Sequence, residues 1–310
     1  MEDESATDSR SFVDEEGLLA PAYRYDYAGR CWWCGQAADS GEHKYKRTDI
    51  VRGFGKGPWR GQSAVVRIVD GMEKDLQSPG SRGLKFAKVL CGDCNSARSQ
   101  EFDRAYEAFS NYVMSEQEHI LSNNGFRWSR VFGSQWRSGR NLVTAYWVKH
   151  IGCRLAEGGV EVNPGITGFL DHPHMPPRGV PLRLELQIRE DWLAVSEHIQ
   201  QSHGEDFNAL WMGNLMCLYS RNRQMIRQAT GDWGIGWIGL TYQFDFDYTQ
   251  MIANFWRDRV RLPHVSSVDP ELIDQNCKVC HLWRITSLMA ERDRYQEETA
   301  EFFYSIGLEV

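Results

Sequence analysis

Cys31-Trp32-Trp33-Cys34, Gly41-Glu42-His43-Lys44 and Leu90-Cys91-Gly92-Asp93-Cys94-Asn95-Ser96-Ala97-Arg98 are the three short stretches on which the reading of this chain turns. Two of them are Cys-x-x-Cys knuckles. Each presents two thiolates from one tight turn, and two such turns complete a tetrahedral four-sulfur shell of the kind that holds structural zinc. Cys31, Cys34, Cys91 and Cys94 are therefore the expected zinc ligands. A shell filled by four protein ligands has no open position, so this metal is expected to support the fold and not to perform chemistry.

The surroundings widen the pattern. Gly41-Glu42-His43-Lys44 sets an acid beside an imidazole, and the second knuckle runs without a gap into Asn95-x-x-Arg98 at the expected start of a helix. Taken together, Cys-x-x-Cys, Glu-His and Leu-Cys-x-x-Cys-Asn-x-x-Arg resemble the HNH, or His-Me finger, endonucleases over residues 31 to about 112. The resemblance implies a ββα-metal module. His43, at the end of the first strand, would be the general base that takes a proton from the attacking water, a task suited to a group that titrates near neutrality. Glu42 and Asn95 would hold one Mg²⁺ or Mn²⁺ through oxygen, as hard cations prefer. Arg98, one helical turn beyond Asn95 and on the same side, would clamp a phosphate. Lys44 and Lys46 would touch the nucleic-acid backbone. DNA is the implied substrate, and restriction or phage defence is the setting that analogy suggests. The chain departs from compact members in two respects: the third motif position is Asn95 and not His, and 51 residues separate His43 from Asn95. A Gly-rich segment and a strand over Val65–Val69 are therefore expected as an insertion in the hairpin.

Charge is distributed unevenly. The 310 residues carry a formal net charge of −7. Glu2, Asp3, Glu4, Asp8, Asp14, Glu15 and Glu16 stand against Arg10 alone in the first twenty, a net of −6 that leaves the remainder near neutral. Between Glu42 and Arg98 the balance is basic, with twelve Lys and Arg facing six Asp and Glu. Such a local field suits a phosphate backbone, although a solvated surface would look the same. The acidic start has no apolar core and is not expected to be a signal peptide. No apolar stretch is long enough to span a membrane. A cytoplasmic location follows as the expectation, and with it thiols that serve metal and not disulfides.

The expected fold class is α+β. Residues 1–20 read as a disordered acidic tail, 21–124 as the zinc-containing module, and 125–310 as an α+β region for specificity, oligomerisation or regulation. In the last, Asn141 to Ala156 reads as a helix stopped by Gly158-Gly159. Leu182, Leu184, Leu186 and Ile188 alternate as in a half-buried strand, and Trp192 to Gln201 reads as a helix. Trp233 to Phe246 is aromatic and Gly-rich, expected as strands of a core or as a stacking platform for bases. Pro270 to Trp283 and Ile285 to Ile306 read as closing helices. Within them Cys277, Cys280 and His281 read as core and not as a second metal site, and Asp171-His172-Pro173-His174 reads as a surface turn. A second reading stands beside the nuclease: a zinc-organised module that binds nucleic acid or protein without chemistry, joined to a sensor or adaptor region.

Overall fold

The computed structural model describes residues 25–60, 65–69, 72–203, 209–213, 215–220 and 225–266. The acidic tail, the expected closing helices and Cys277, Cys280 and His281 lie outside these residues. The class is α+β. In chain order the elements are α1 (Arg47–Phe54), β1 (Val65–Val69), β2 (Met72–Leu76), α2 (Gly92–Asn95), α3 (Gln100–Ser115), α4 (Gln117–Asn123), β3 (Gly125–Arg127), α5 (Trp128–Phe132), α6 (Trp136–Glu157), α7 (Pro164–Asp171), β4 (Leu182–Arg189) and α8 (Glu190–His203). They are followed by β5 (Leu210–Met212), β6 (Met216–Ser220), β7 (Met225–Ile235), β8 (Ile238–Asp245), β9 (Ile252–Ala253), β10 (Arg259–Arg261) and β11 (His264–Val265).

Two extended segments, residues 40–44 and 84–90, pair antiparallel beside the two Cys-x-x-Cys knuckles. Ser40 N donates to Leu90 O at 2.9 Å, Phe86 N to Glu42 O at 2.8 Å and Lys44 N to Leu84 O at 2.8 Å. The intervening residues form the insertion, in which β1 and β2 pair in register from Val65 opposite Leu76 to Val69 opposite Met72. The sequence reading missed α1. Its eight residues, Arg47–Phe54, include Gly53 and are ended by Gly55, at φ +77, a conformation that glycine adopts without steric cost. A small apolar cluster of Ile50, Trp59, Leu76 and Leu84 fastens the insertion.

Helix α6 is the axis of the molecule. Residues 143 to 156 are buried nearly all round, which a helix can be only when protein covers every face. The antiparallel pairing of β4 with β8 and β8 with β7 forms the centre of a seven-stranded sheet, with β5 and β6 on the outer side of β7 and β9 and β11 on the outer side of β4. Gly236, at φ +52, turns the β7–β8 hairpin. One continuous apolar cluster includes Trp32, Tyr106, Tyr146, Trp147, Trp233 and Leu262, so residues on both sides of position 125 share a core. Gly152 shows how tightly the zinc knuckle sits on α6: a Cβ there would lie 2.3 Å from the Trp32 ring.

Candidate functional site

The four knuckle cysteines converge, with their Sγ atoms all within 4.8 Å of one another. A tetrahedral zinc with bonds of about 2.3 Å sets its sulfurs about 3.8 Å apart, so the cluster could hold such an ion. It is the one group of three or more His, Cys, Asp or Glu ligand atoms so gathered among the described residues. Cys31, Cys91 and Cys94 are buried, and Cys34 is half-buried. The Cys91 Sγ accepts from Cys94 N at 3.5 Å, the local bond that closes the second knuckle into the short α2. Hydrogen bonding from Cys94 holds the Cys31 thiol down to about 4, and the same contact pushes Cys94 up. Only Cys31 is favoured as a thiolate in this way, while burial raises Cys34, so a metal entering the cluster would have to displace protons from its other ligands.

Arg98 does not continue the helix of Asn95. Helix α2 ends at Asn95 and α3 begins at Gln100, so Arg98 lies in the joint between them. Its guanidinium sits 4.5 Å over the Trp33 ring, donates to Cys94 Sγ at 3.2 Å and pairs with Asp171. Trp33 Nε1 also donates to Asp171 Oδ1, at 2.8 Å. The side chain expected on a phosphate therefore supports a cysteine ligand, as outer partners of metal sites do. Asp171, read from sequence as part of a surface turn, is the anchor.

Glu42 is buried, at 8 % exposure, beneath α6. The Lys149 Nζ lies 3.0 Å from Glu42 Oε2, donates to Ser99 Oγ at 3.0 Å and comes within 3.9 Å of Asp103. Lys149 is fully buried. Burial alone would lower its pKa, but Glu42 and Asp103 outweigh this and raise it, so the group is an ammonium. Lys44 and Lys46, expected on nucleic acid, are taken up by Glu157 at 3.2 Å and Asp103 at 3.0 Å. The basic run of the sequence is thus partly consumed inside the fold.

His43 lies opposite Lys85 in the paired segments. Burial first, then Lys85, lowers its pKa, opposed by Glu42 and by a backbone hydrogen bond with Pro79. The neutral imidazole is the form a base requires at pH 7. Its Nε2 is buried and has no hydrogen-bond partner among the described residues. Asn95 Nδ2 donates to Ser40 Oγ at 2.8 Å, while Asn95 Oδ1 is likewise buried and unpartnered. Trp32 Nε1 and Trp147 Nε1 share that condition, so it is not unique to these residues.

No family model, curated protein or solved structure matches this chain.

The oxygen donors Glu42 and Asn95 have the chemistry of a Mg²⁺ or Mn²⁺ site, but the arrangement does not fit one. The ammonium of Lys149 already neutralises the carboxylate, and bringing a divalent cation beside it would set like charges together in a buried place. The sequence reading missed Lys149 and its neighbour His150. Their signal was visible: two adjacent ionisable residues inside the largely apolar run Val143 to Cys153.

His150 Nε2 donates to His43 O at 2.8 Å and ties α6 to the candidate strand. Burial, then Lys149, pushes its pKa down to about 3, against the hydrogen bond that raises it. An unfolded His takes up its proton near 6.5. Between these values the unfolded chain holds the extra proton, so stability is complete above pH 6.5 and falls as pH drops toward 3. His43 acts in the same direction. Urea unfolding is expected to show a loss of about 2 kcal/mol between pH 7 and pH 5 from His150. His150→Gln, which keeps a donor for His43 O, should remove most of that difference; an unchanged difference would show that other groups cause it.

Proposed function

We propose that the chain is an HNH-type endonuclease that hydrolyses phosphodiester bonds of DNA, with the base in a closed arrangement. The observation that carries this reading is the joint itself. The segment bearing Glu42 and His43 pairs with the segment that leads into the second Cys-x-x-Cys knuckle and Asn95, and His43 Nε2 and Asn95 Oδ1 are each buried with no hydrogen-bond partner among the described residues. An unpaired buried polar atom costs about 1–3 kcal/mol, a cost that chemistry at the site would account for. In the reaction a neutral His43 takes a proton from water. The water oxygen bonds to phosphorus and the bond to the 3′ oxygen breaks, the departing oxygen taking a proton from solvent, which leaves 5′-phosphate and 3′-hydroxyl ends. Access to Nε2 requires movement of the atoms that cover it, and the Glu42–Lys149 pair and the His150 bond to His43 O hold them in place. No step is drawn through a divalent cation.

The Glu42–Lys149 pair specifically favours a second reading, a zinc-organised binding module with no chemistry. Cleavage of supercoiled plasmid by the purified protein, with Mg²⁺, with Mn²⁺ and without either, separates the two. Activity lost in His43→Ala at unchanged zinc content supports the nuclease. A wild-type protein that carries zinc and cuts under none of these conditions leaves the binding module as the better account.

A further inference from the structure

Arginine is concentrated in two segments far apart in the chain. Residues 125–141 contain Arg127, Arg130, Arg137 and Arg140 and no acidic residue, and residues 254–263 contain Arg257, Arg259 and Arg261 against Asp258 alone. Neither segment contains lysine. The fold brings them together. Strands β3 and β10 pair antiparallel with Arg127 opposite Arg259 and Arg261 opposite Gly125. Phe126 and Val260 point into the core, while Arg127, Arg259 and Arg261 alternate outward and are exposed. The ribbon thus presents its arginines on one face.

Like charges directly opposite on neighbouring strands destabilise a sheet. The nearby carboxylate does little to relieve this. Asp258 accepts from Ser129 N at 2.7 Å and Ser129 Oγ at 3.1 Å, and so is engaged with the start of α5; its distance to Arg127 is 3.8 Å. Arg130, Arg137, Arg257, Arg259 and Arg261 have no carboxylate partner among the described residues. Beside the ribbon, the Arg140 guanidinium lies 5.4 Å from the Trp136 ring and 4.8 Å from the Trp256 ring, and Arg137 lies 4.6 Å over Trp136. Both indoles are half-buried.

We propose that this arginine face is a docking surface for the phosphate backbone of duplex nucleic acid. A chain of net charge −7 that sets three exposed guanidinium groups on one ribbon face, with four more arginines in the two flanking segments and Asp258 the one carboxylate in them, has built a local field for a polyanion. Arginine without lysine points to phosphate, which its planar fork can grip through two bonds. An anionic bilayer would be matched by apolar side chains beside the charges, and none of Arg127, Arg259 and Arg261 has an exposed large apolar neighbour within its strand. Along α6, ten residues separate Arg140 from His150, which contacts the His43 strand, a rise of about 15 Å. Docking on this face does not require that His43 perform chemistry.

Fluorescence anisotropy with a 20-base-pair DNA duplex, in zinc-replete buffer without Mg²⁺ and over a salt series, tests the proposal. The wild-type chain is expected to bind with a steep salt dependence. The triple variant Arg127→Gln/Arg259→Gln/Arg261→Gln should bind at least tenfold more weakly, with a salt slope smaller by about 2 to 3. Its Tm should hold or rise, since the cross-strand repulsion is gone. Arg82→Gln/Lys88→Gln, exposed basic positions on the insertion side, should bind as wild type does. Unchanged affinity and slope in the triple variant, absence of duplex binding by wild type at low salt, or binding to phosphatidylserine vesicles in place of DNA would each overturn the proposal. His43→Ala is expected to bind normally. Arginine-dependent binding without cleavage would overturn the nuclease reading alone.

Discussion

Replacing Cys94 by serine, or stripping metal from the purified protein with a strong chelator, is expected to abolish the native fold around the knuckles and lower Tm by tens of degrees. A metal held by the cluster would tie residues 31–34 to residues 91–94, and without it backbone hydrogen bonds and core packing would have to hold the paired segments. Metal binding to such a four-ligand site contributes on the order of 10 kcal/mol, comparable to the whole stability of an ordinary domain. Cys94 is fully buried and receives the Arg98 guanidinium, so a serine there loses a ligand and strands a cation. Elemental analysis should find one zinc per wild-type chain. A chain with no bound metal and an undiminished Tm after chelation would refute the metal site.

Lys149→Met is expected to cost about 3–5 kcal/mol, because it removes the charge that pairs with a buried carboxylate and leaves Glu42 uncompensated. The double variant Glu42→Gln/Lys149→Met should recover much of the loss, since replacing both members of a buried pair is often close to neutral. Ser99 Oγ would still lose its bond, while Asp103 would keep Lys46 as its partner at 3.0 Å. Urea denaturation of the wild type, both single variants and the double variant gives the coupling directly. Additive losses would mean that Glu42 and Lys149 do not interact as their geometry indicates.

Most of what the sequence disclosed was local. Both Cys-x-x-Cys knuckles, the strand at Val65–Val69, the helix that ends before Gly158 and the alternation through Leu182 to Ile188 are written in spacings of two to four residues, and the fold reproduces them. The aromatic stretch read from 233 to 246 as strands of a core is the β7–β8 hairpin, with β7 beginning earlier, at Met225. Trp233 does not stack on bases: it is buried, lies 5.6 Å from the Tyr106 ring and donates through Nε1 to Lys44 O. The error over Arg98 was also one of scale, because a break at Ser96–Ser99 separates two helices that a periodic reading joins.

By itself, the sequence determined the metal-binding capacity, the α+β class and the identity of the ionisable residues near the knuckles, since each depends on residue type and short spacing. Only the tertiary structure decided what those residues face. Lys149 meets Glu42 across 107 positions, Asp171 meets Arg98 across 73, and Arg127 lies opposite Arg259 across 132. Partners so distant in the chain leave no periodic trace, yet they set whether a carboxylate is free for a cation, whether a guanidinium reaches a phosphate, and where positive charge gathers on the surface.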